Sequence, residues 1–242
     1  MNNTSLNIAL LGYGKMGKLI EEMSLKKGHR IVARIDKEED WLLQAASLKT
    51  AHVAIEFSTP ASAVQNIEHC FELNLPIIVG TTAWQHDQDR LKQWCISKGQ
   101  ALMWGSNFSI GVNLLFKLNQ QLAQWMNVYE GYEVSIEEIH HTAKLDAPSG
   151  TAVSLAQQII ENLDRKNQWT LEENSAPDQL KIEALRIDAT PGTHHVRYQS
   201  EIDDLVISHI AHNRKGFAIG AIEAAEWIYD KKGWFNFTEV FF

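Results

Sequence analysis

The 242-residue sequence predicts an α/β fold: an N-terminal parallel sheet, then a C-terminal α+β block built on an open mixed sheet. Three observations carry that expectation. Over the first hundred residues, short apolar runs alternate with helical stretches of roughly 10–15 residues, the pattern of βαβ units. A Gly-x-Gly-x-x-Gly loop follows directly on the first apolar run. Beyond residue 110 the rhythm changes to a long helix and several strand-like runs that alternate polar and apolar positions.

Composition narrows the class. Hydrophobic residues make up 45% and charged residues 21%, which excludes a disordered chain, a collagen and a coiled coil. Thirty acidic and 22 basic residues give a net charge of −8, the wrong sign for a nucleic-acid reader or an anionic membrane surface. The two cysteines, Cys70 and Cys95, form no CxxC pair and read as buried thiols on helices rather than a disulfide framework. No run of 18 apolar residues occurs, and the first six residues lack the basic segment of a leader, so a cytoplasmic protein is expected.

The elements follow in order. Strands are expected at 6–11, 30–35, 51–57, 76–79 and 101–104, with helices at 15–27, from Pro60 to 73 and at 85–98. Residues 110–126 form a helix with Leu115, Leu118 and Leu122 on one face. Residues 133–137 alternate, with Val134 and Ile136 inward. A helix opens after Ser149 with Ala152, Ala156, Ile159, Ile160 and Leu163 as its apolar stripe. Residues 164–180 are polar, contain Pro177 and read as a loop. Further strands are expected at 181–189, 194–200 and 204–211, and a last helix at 217–230 that returns to the first domain. The boundaries are 1–109 with 213–242 for a dinucleotide-type domain, and 110–212 for the α+β domain.

Gly12, Gly14, Lys15, Met16 and Gly17 belong to the glycine loop. The first glycine allows a tight turn, the second lets backbone approach a pyrophosphate, and the third lets the helix pack close to the strand. Asp36 ends the second strand, where a carboxylate accepts from a ribose hydroxyl. This is a Rossmann-type arrangement, and NADH or NADPH is the expected cofactor. Asp36 favours NADH; Arg34 and Lys37 are near enough in sequence to attract the extra phosphate of NADPH. The other strand ends carry small polar residues: Phe57-Ser58-Thr59, Gly80-Thr81-Thr82 and Ser106-Asn107-Phe108. Ligands of open α/β sheets bind at that edge.

The most informative segment is 138–152. Adjacent His140 and His141 end a strand, Lys144 follows, and Pro148-Ser149-Gly150-Thr151 opens a helix with Ser149 as N-cap. Free amides at that helix start, the Ser and Thr hydroxyls and the Lys144 charge together make a carboxylate site. A histidine can deliver a proton to the carbanion-like centre that hydride addition leaves.

The string from His140 to Ala152 resembles the signature of the 4-hydroxy-tetrahydrodipicolinate reductase (dihydrodipicolinate reductase) family. The likeness extends through the glycine loop, Gly80-Thr81-Thr82, Asn107 to Asn113, Gly192-x-His194 and Asn213-Arg214, nearly the whole chain. It implies reduction of a cyclic unsaturated dicarboxylate in the diaminopimelate route to lysine. It also implies a dinucleotide domain, a substrate domain that builds a homotetramer, and closure of the two over the ligands. On this likeness His140 is the proton donor and Lys144 binds substrate and supports that step. His141, Ser149, Gly150 and Thr151 grip the substrate carboxylates. Gly12, Met16, Gly17, Asp36, Lys37, Gly80 and Thr82 hold the cofactor, and Asn107 and Phe108 lie near the nicotinamide and the hinge. The glycine loop departs from many members by having one residue, not two, between its first two glycines. Thr193 stands where an acidic residue is common.

Other readings are a non-catalytic dinucleotide sensor and an NAD(P) dehydrogenase of another small carboxylate. A metal site is not expected. His140, His141, His194, His195, His209 and His212 crowd the second half, but adjacent histidines on a strand point to opposite faces.

Overall fold

The structure is a computed structural model that describes residues 5–242. Residues 1–4, part of the stretch read as lacking a leader, lie outside the described residues. Two compact units divide the chain: Met1–Ile110 with Lys215–Phe242, and Gly111–Arg214. The first opens with β1 (Asn7–Leu11), α1 (Lys15–Lys26), β2 (Arg30–Ile35), α2 (Glu38–Leu43), α3 (Ala45–Leu48), β3 (Val53–Glu56), α4 (Pro60–Glu72), β4 (Ile77–Val79), α5 (Gln88–Ser97) and β5 (Ala101–Trp104). The second holds α6 (Ile110–Met126, whose first residue belongs to the first unit), β6 (Glu133–His140), α7 (Gly150–Asn162), β7 (Gln168–Thr170), β8 (Gln179–Arg186), β9 (Thr193–Gln199) and β10 (Asp204–Ile210). The chain returns to the first unit with α8 (Lys215–Ile228), β11 (Gly233–Asn236) and α9 (Phe237–Phe241).

In the first unit, six parallel strands run in the order β11-β5-β4-β3-β1-β2. Successive residues of the central strands feed opposite cores. Ile8, Leu10, Val53, Ile55 and Met103 pack with Ile20 of α1 and the alanine-rich face of α8. Ala9, Leu11, Ala54, Ile77, Val79 and Leu102 pack with Ile67, Phe71 and Leu91 of α4 and α5. Burial on both faces is why these strands read as unbroken apolar runs rather than alternating ones. Because every strand is parallel, the ends of β1 to β5 line one edge. The tail beyond 230, to which the sequence assigned no strand, supplies β11, parallel to β5 from Gly233 to Asn236.

In the second unit, five strands form a mixed sheet in the order β10-β9-β6-β8-β7. β6 is parallel to β8 and antiparallel to β9. Helices α6 and α7 cover one face, burying Val134, Ile136, Leu180, Ile182, Val196 and Tyr198. Buried Asn119 fastens the two helices, donating to the Leu155 carbonyl (3.1 Å) and to Gln158 (3.0 Å).

Three expectations are corrected here. Leu118 lies on the outer side of α6, 58% exposed, so the inward stripe is Leu115, Leu122 and Met126. Leu155, not Ile160, completes the buried stripe of α7. The supposed loop 164–180 contains β7. It is ordered by Lys166, whose buried ammonium donates to the carbonyls of Pro177 (2.8 Å) and Gln179 (2.9 Å) and meets Glu133. A buried charge is tolerated only with such partners.

Candidate active site

The first unit gathers the glycine loop and the strand ends at one edge. Gly12 has φ +87°, and a Cβ there would collide with the Phe57 carbonyl. A Cβ on Gly17 would strike the Gly12 carbonyl, whereas Gly14 faces open space. Helix α1 therefore starts with an uncapped N-terminus and no acidic residue in its first turn, a suitable seat for a pyrophosphate. The Tyr13 amide donates to Asp36 Oδ1 (2.8 Å), so the loop is tied to the carboxylate at the end of β2. Lys37 is exposed beside it, and Asp40 accepts from the amides of Asp36 and Lys37. Arg34 is engaged elsewhere: it pairs with Glu21 and lies over the Tyr13 ring.

The next strand ends are laced by Glu56. This fully buried carboxyl accepts from the Ser58 amide (2.9 Å), the Ser58 hydroxyl and the Thr81 hydroxyl (3.0 Å), joining the loops after β3 and β4. Burial pushes its pKa up. The Phe57 ring covers Gly80, where any side chain would collide with it, and stands 6.0 Å from the buried ring of Phe108. Thr82 and Ser106 are exposed at the same edge, and Asn107 Oδ1 accepts from the Ser109 amide (2.8 Å). The residues present thus fit a dinucleotide.

In the second unit, the alternation of β6 continues past residue 137. Glu138 and His140 fall on the helix-covered face with Val134 and Ile136. Across the sheet, Glu138 faces His194 on β9, and His140 faces Arg186 on β8. Glu138 Oε2 bonds His140 Nδ1. Its other oxygen accepts from the Ser149 amide (3.2 Å) and pairs with Arg186 (3.0 Å). Ser149 caps α7, its Oγ accepting from the Ala152 amide (3.2 Å). The first amides of a helix have no acceptor within it, so those of Gly150 and Thr151 remain for an anion. Burial lowers the His140 pKa, Glu138 raises it, and the nearby charges of Lys144 and Arg186 lower it.

Lys144 donates to both oxygens of Asp146 (2.8 and 2.7 Å) and holds the Asp146 carboxyl below its usual range. His141 is half-buried outside the buried group, 3.5 Å from the Arg214 guanidinium. Glu138, His140 and His194 bring ligand-type atoms within 4.8 Å of one another. Neighbours along a strand diverge, but these two histidines converge across strands. Arg186 already supplies the positive charge at that carboxylate.

Residues 6–108 match the family model described as dihydrodipicolinate reductase, N-terminus, and residues 111–241 match the model of its C-terminus. The chain belongs to the dihydrodipicolinate reductase family. A curated 4-hydroxy-tetrahydrodipicolinate reductase from Christiangramia forsetii is 46% identical over 236 residues, covering 97% of both chains. One from Thermosipho africanus is 31% identical over 237 residues, again with 97% of each covered. A solved structure of dipicolinate-bound dihydrodipicolinate reductase from Paenisporosarcina sp. TG-14 has the same fold (TM-score 0.77, 20% identity, 99% and 100% covered). Membership in the dihydrodipicolinate reductase family puts the chain among the dinucleotide-dependent reductases, and the α/β fold with its second mixed sheet agrees.

Within this family member the site includes groups that sequence reasoning passed over. Glu138 was readable: the alternation of 133–137, carried on by three residues, puts it and His140 on the buried face. Arg186 and Glu21 carried no local signal, because their roles come from partners on other elements.

Proposed function

We propose that the chain reduces 4-hydroxy-tetrahydrodipicolinate to tetrahydrodipicolinate in the diaminopimelate route to lysine, with His140 as proton donor. The observation that carries this reading is the Glu138 carboxylate, which bonds both the imidazole of His140 and the amide that opens α7. A proton donor and an anion-binding helix start are thereby fixed to one another. Ser149, Gly150 and Thr151 grip one substrate carboxylate, with Lys144 and His141 supplying further donors. The nicotinamide supplies a hydride when bound. His140 then gives a proton from Nε2 to the carbanion-like centre; with the 4-hydroxyl lost as water, the ring has gained one hydride and one proton and given up one water.

Gly12, Gly14, Lys15, Met16 and Gly17 hold the pyrophosphate, Asp36 and Lys37 the adenosine ribose. Phe57, Gly80, Thr81, Thr82, Ser106, Asn107 and Phe108 line the nicotinamide end. Both NADH and NADPH are candidate cofactors. The engagement of Arg34 by Glu21 supports NADH, because it withdraws one of the two cations that would meet a 2′-phosphate. The enzyme acts as a cytoplasmic homotetramer. Leu205, Val206 and Ile210 on edge strand β10 are 43%, 42% and 57% exposed, an apolar edge that a further copy would cover. Among the described residues no helix is long and apolar enough to cross a membrane.

The test is a coupled assay. Substrate is generated from pyruvate and aspartate semialdehyde by the preceding synthase, and loss of NADH or NADPH absorbance is followed separately. Rapid oxidation is expected. Folded protein that binds dinucleotide yet oxidises neither cofactor would sink the reading.

A further inference from the structure

The second unit buries a carboxylate where a hydrophobic sheet face would do. Glu138 is fully buried, on the same strand face as Val134 and Ile136, and takes donors from three different elements. These are the His140 ring on β6, the Arg186 guanidinium on β8 and the Ser149 amide before α7. Burying a charge in this way is costly unless its partners are well placed. A purely structural sheet position would hold an aliphatic residue at less cost.

We propose that Glu138 is a positioning residue for the proton donor: it fixes the His140 imidazole with Nδ1 inward and Nε2 outward, and locks that ring to the start of α7. The proposal rests on the reading of His140 as proton donor and adds to it how the ring is oriented and charged.

The geometry gives each step a reason. A carboxylate can only accept, so His140 Nδ1 is the donor in this pair. In the neutral ring Nε2 then carries the lone pair, and in the protonated ring it carries the transferable proton. That nitrogen is kept clear by Gly192, whose missing Cβ would sit 3.0 Å from it. After transfer the imidazole is neutral and retains its Nδ1 proton toward Glu138, so no second proton movement is needed. The same carboxylate accepts from Ser149, so the ring and the helix start that would grip substrate move as one body.

Charge follows the same logic. The groups around His140 are Glu138 on its own strand, Arg186 on β8, His194 on β9, and Lys144, paired with Asp146, in the loop before α7. Burial, Lys144 and Arg186 all disfavour the imidazolium, and Glu138 opposes them. His194 is neutral and meets the His140 ring edge-on at 5.2 Å between centroids. Without the Glu138 charge, His140 would be deprotonated over more of the working pH range. A general acid in that state has nothing to give.

The test combines histidine-selective nitrogen NMR with the reductase assay on wild type, Glu138→Gln and Glu138→Asp. In wild type the neutral His140 ring, assigned by its loss in His140→Gln, should be the Nδ1-protonated tautomer. Glu138→Gln should move the His140 titration and the alkaline limb of the kcat profile to lower pH. It should cut kcat about 10–100-fold at pH 8 and much less at pH 6. Glu138→Asp should restore part of the shift. A neutral wild-type ring protonated at Nε2 would overturn the proposal, and this measurement stands even if Glu138→Gln does not fold. A folded Glu138→Gln with an unmoved titration and pH profile would overturn it as well. If the titration moves while His140→Gln keeps full turnover, the positioning holds and the proton-donor reading is what fails.

Discussion

Ser149 Oγ lies 3.2 Å from Nε2 of His194 while it accepts from the Ala152 amide, so one hydroxyl serves both the helix cap and a buried imidazole. The hydroxyl has a second lone pair and a proton besides, so the His194 tautomer decides which of the two donates. His194 is 4% exposed, and its Nδ1 has no partner among the described residues. Burial, reinforced by neighbouring histidines, drives its pKa down to about 3. Between there and the ordinary value near 6.5, the unfolded chain binds a proton that the folded chain refuses. Stability therefore falls on acidification through that window, by up to roughly 1.4 kcal/mol per pH unit from this group. Urea denaturation at pH 7.5, 6 and 5 should show a slope that His194→Gln reduces. Parallel curves for the two proteins would mean that His194 is not the source.

His140→Gln should lower kcat by about 10²–10³, the range for loss of a general acid, with cofactor affinity unchanged. The rate of the wild type should fall as pH rises through the His140 pKa, because only the imidazolium can donate. That pKa is lowered by burial, so the alkaline limb lies below the ordinary histidine value. An alkaline limb well above 7 would contradict the assignment.

Gly192→Ala probes the space in front of the donor. Gly192 has φ +153°, and a Cβ added there would sit 3.0 Å from His140 Nε2, so alanine brings both backbone strain and a methyl group against the nitrogen. The variant should lose about tenfold in kcat from a small displacement of the ring, and its stability should drop by about 1–2 kcal/mol. Full turnover would mean that Nε2 is not the working atom.

How far the sequence reached depended on whether a signal was local. Most of the first unit was legible because the turns after β1, β3, β4 and β5 carry their own glycine or small polar cluster, from Gly12 to Asn107; the short helices α2 and α3, which follow Asp36-Lys37 instead, were not read. β11 was not, because Gly233 to Asn236 follows the last helix without a flanking repeat and forms a strand only by pairing with β5. β7 was hidden for a similar reason: its order comes from Lys166 reaching the Pro177 and Gln179 carbonyls, which no local pattern announces. In the site, the string 140–152 was plain, whereas Arg186 became part of it through register with His140 alone.

Cofactor choice should respond to Glu21. Arg34 bonds Glu21 through Nε at 3.0 Å and through its terminal nitrogen, and Tyr13 also meets the Glu21 carboxylate. Glu21→Gln releases the guanidinium near the end of β2. NADPH use relative to NADH should rise roughly fivefold in kcat/KM, equivalent to about 1 kcal/mol for a partly exposed charge. Asp36→Ala should act from the other side by raising KM for NADH. An unchanged preference in Glu21→Gln would mean that Arg34 does not reach the ribose.

Lys144 gives the last test, because its partner is replaceable. The Asp146 side chain is 62% exposed, and pairs so open to water are worth about 0–1 kcal/mol. A substrate carboxylate, held also by the start of α7, can therefore take the ammonium from Asp146 at little cost. Lys144→Ala should raise the substrate KM about tenfold or more and lower kcat as well, through the lost charge-assisted bond. Asp146→Asn removes only the competitor, so the substrate KM should stay within about twofold of wild type or fall. A normal KM in Lys144→Ala would end the carboxylate role. A steep rise in Asp146→Asn would instead make the pair itself the binding element, with Asp146 orienting the lysine rather than holding its place.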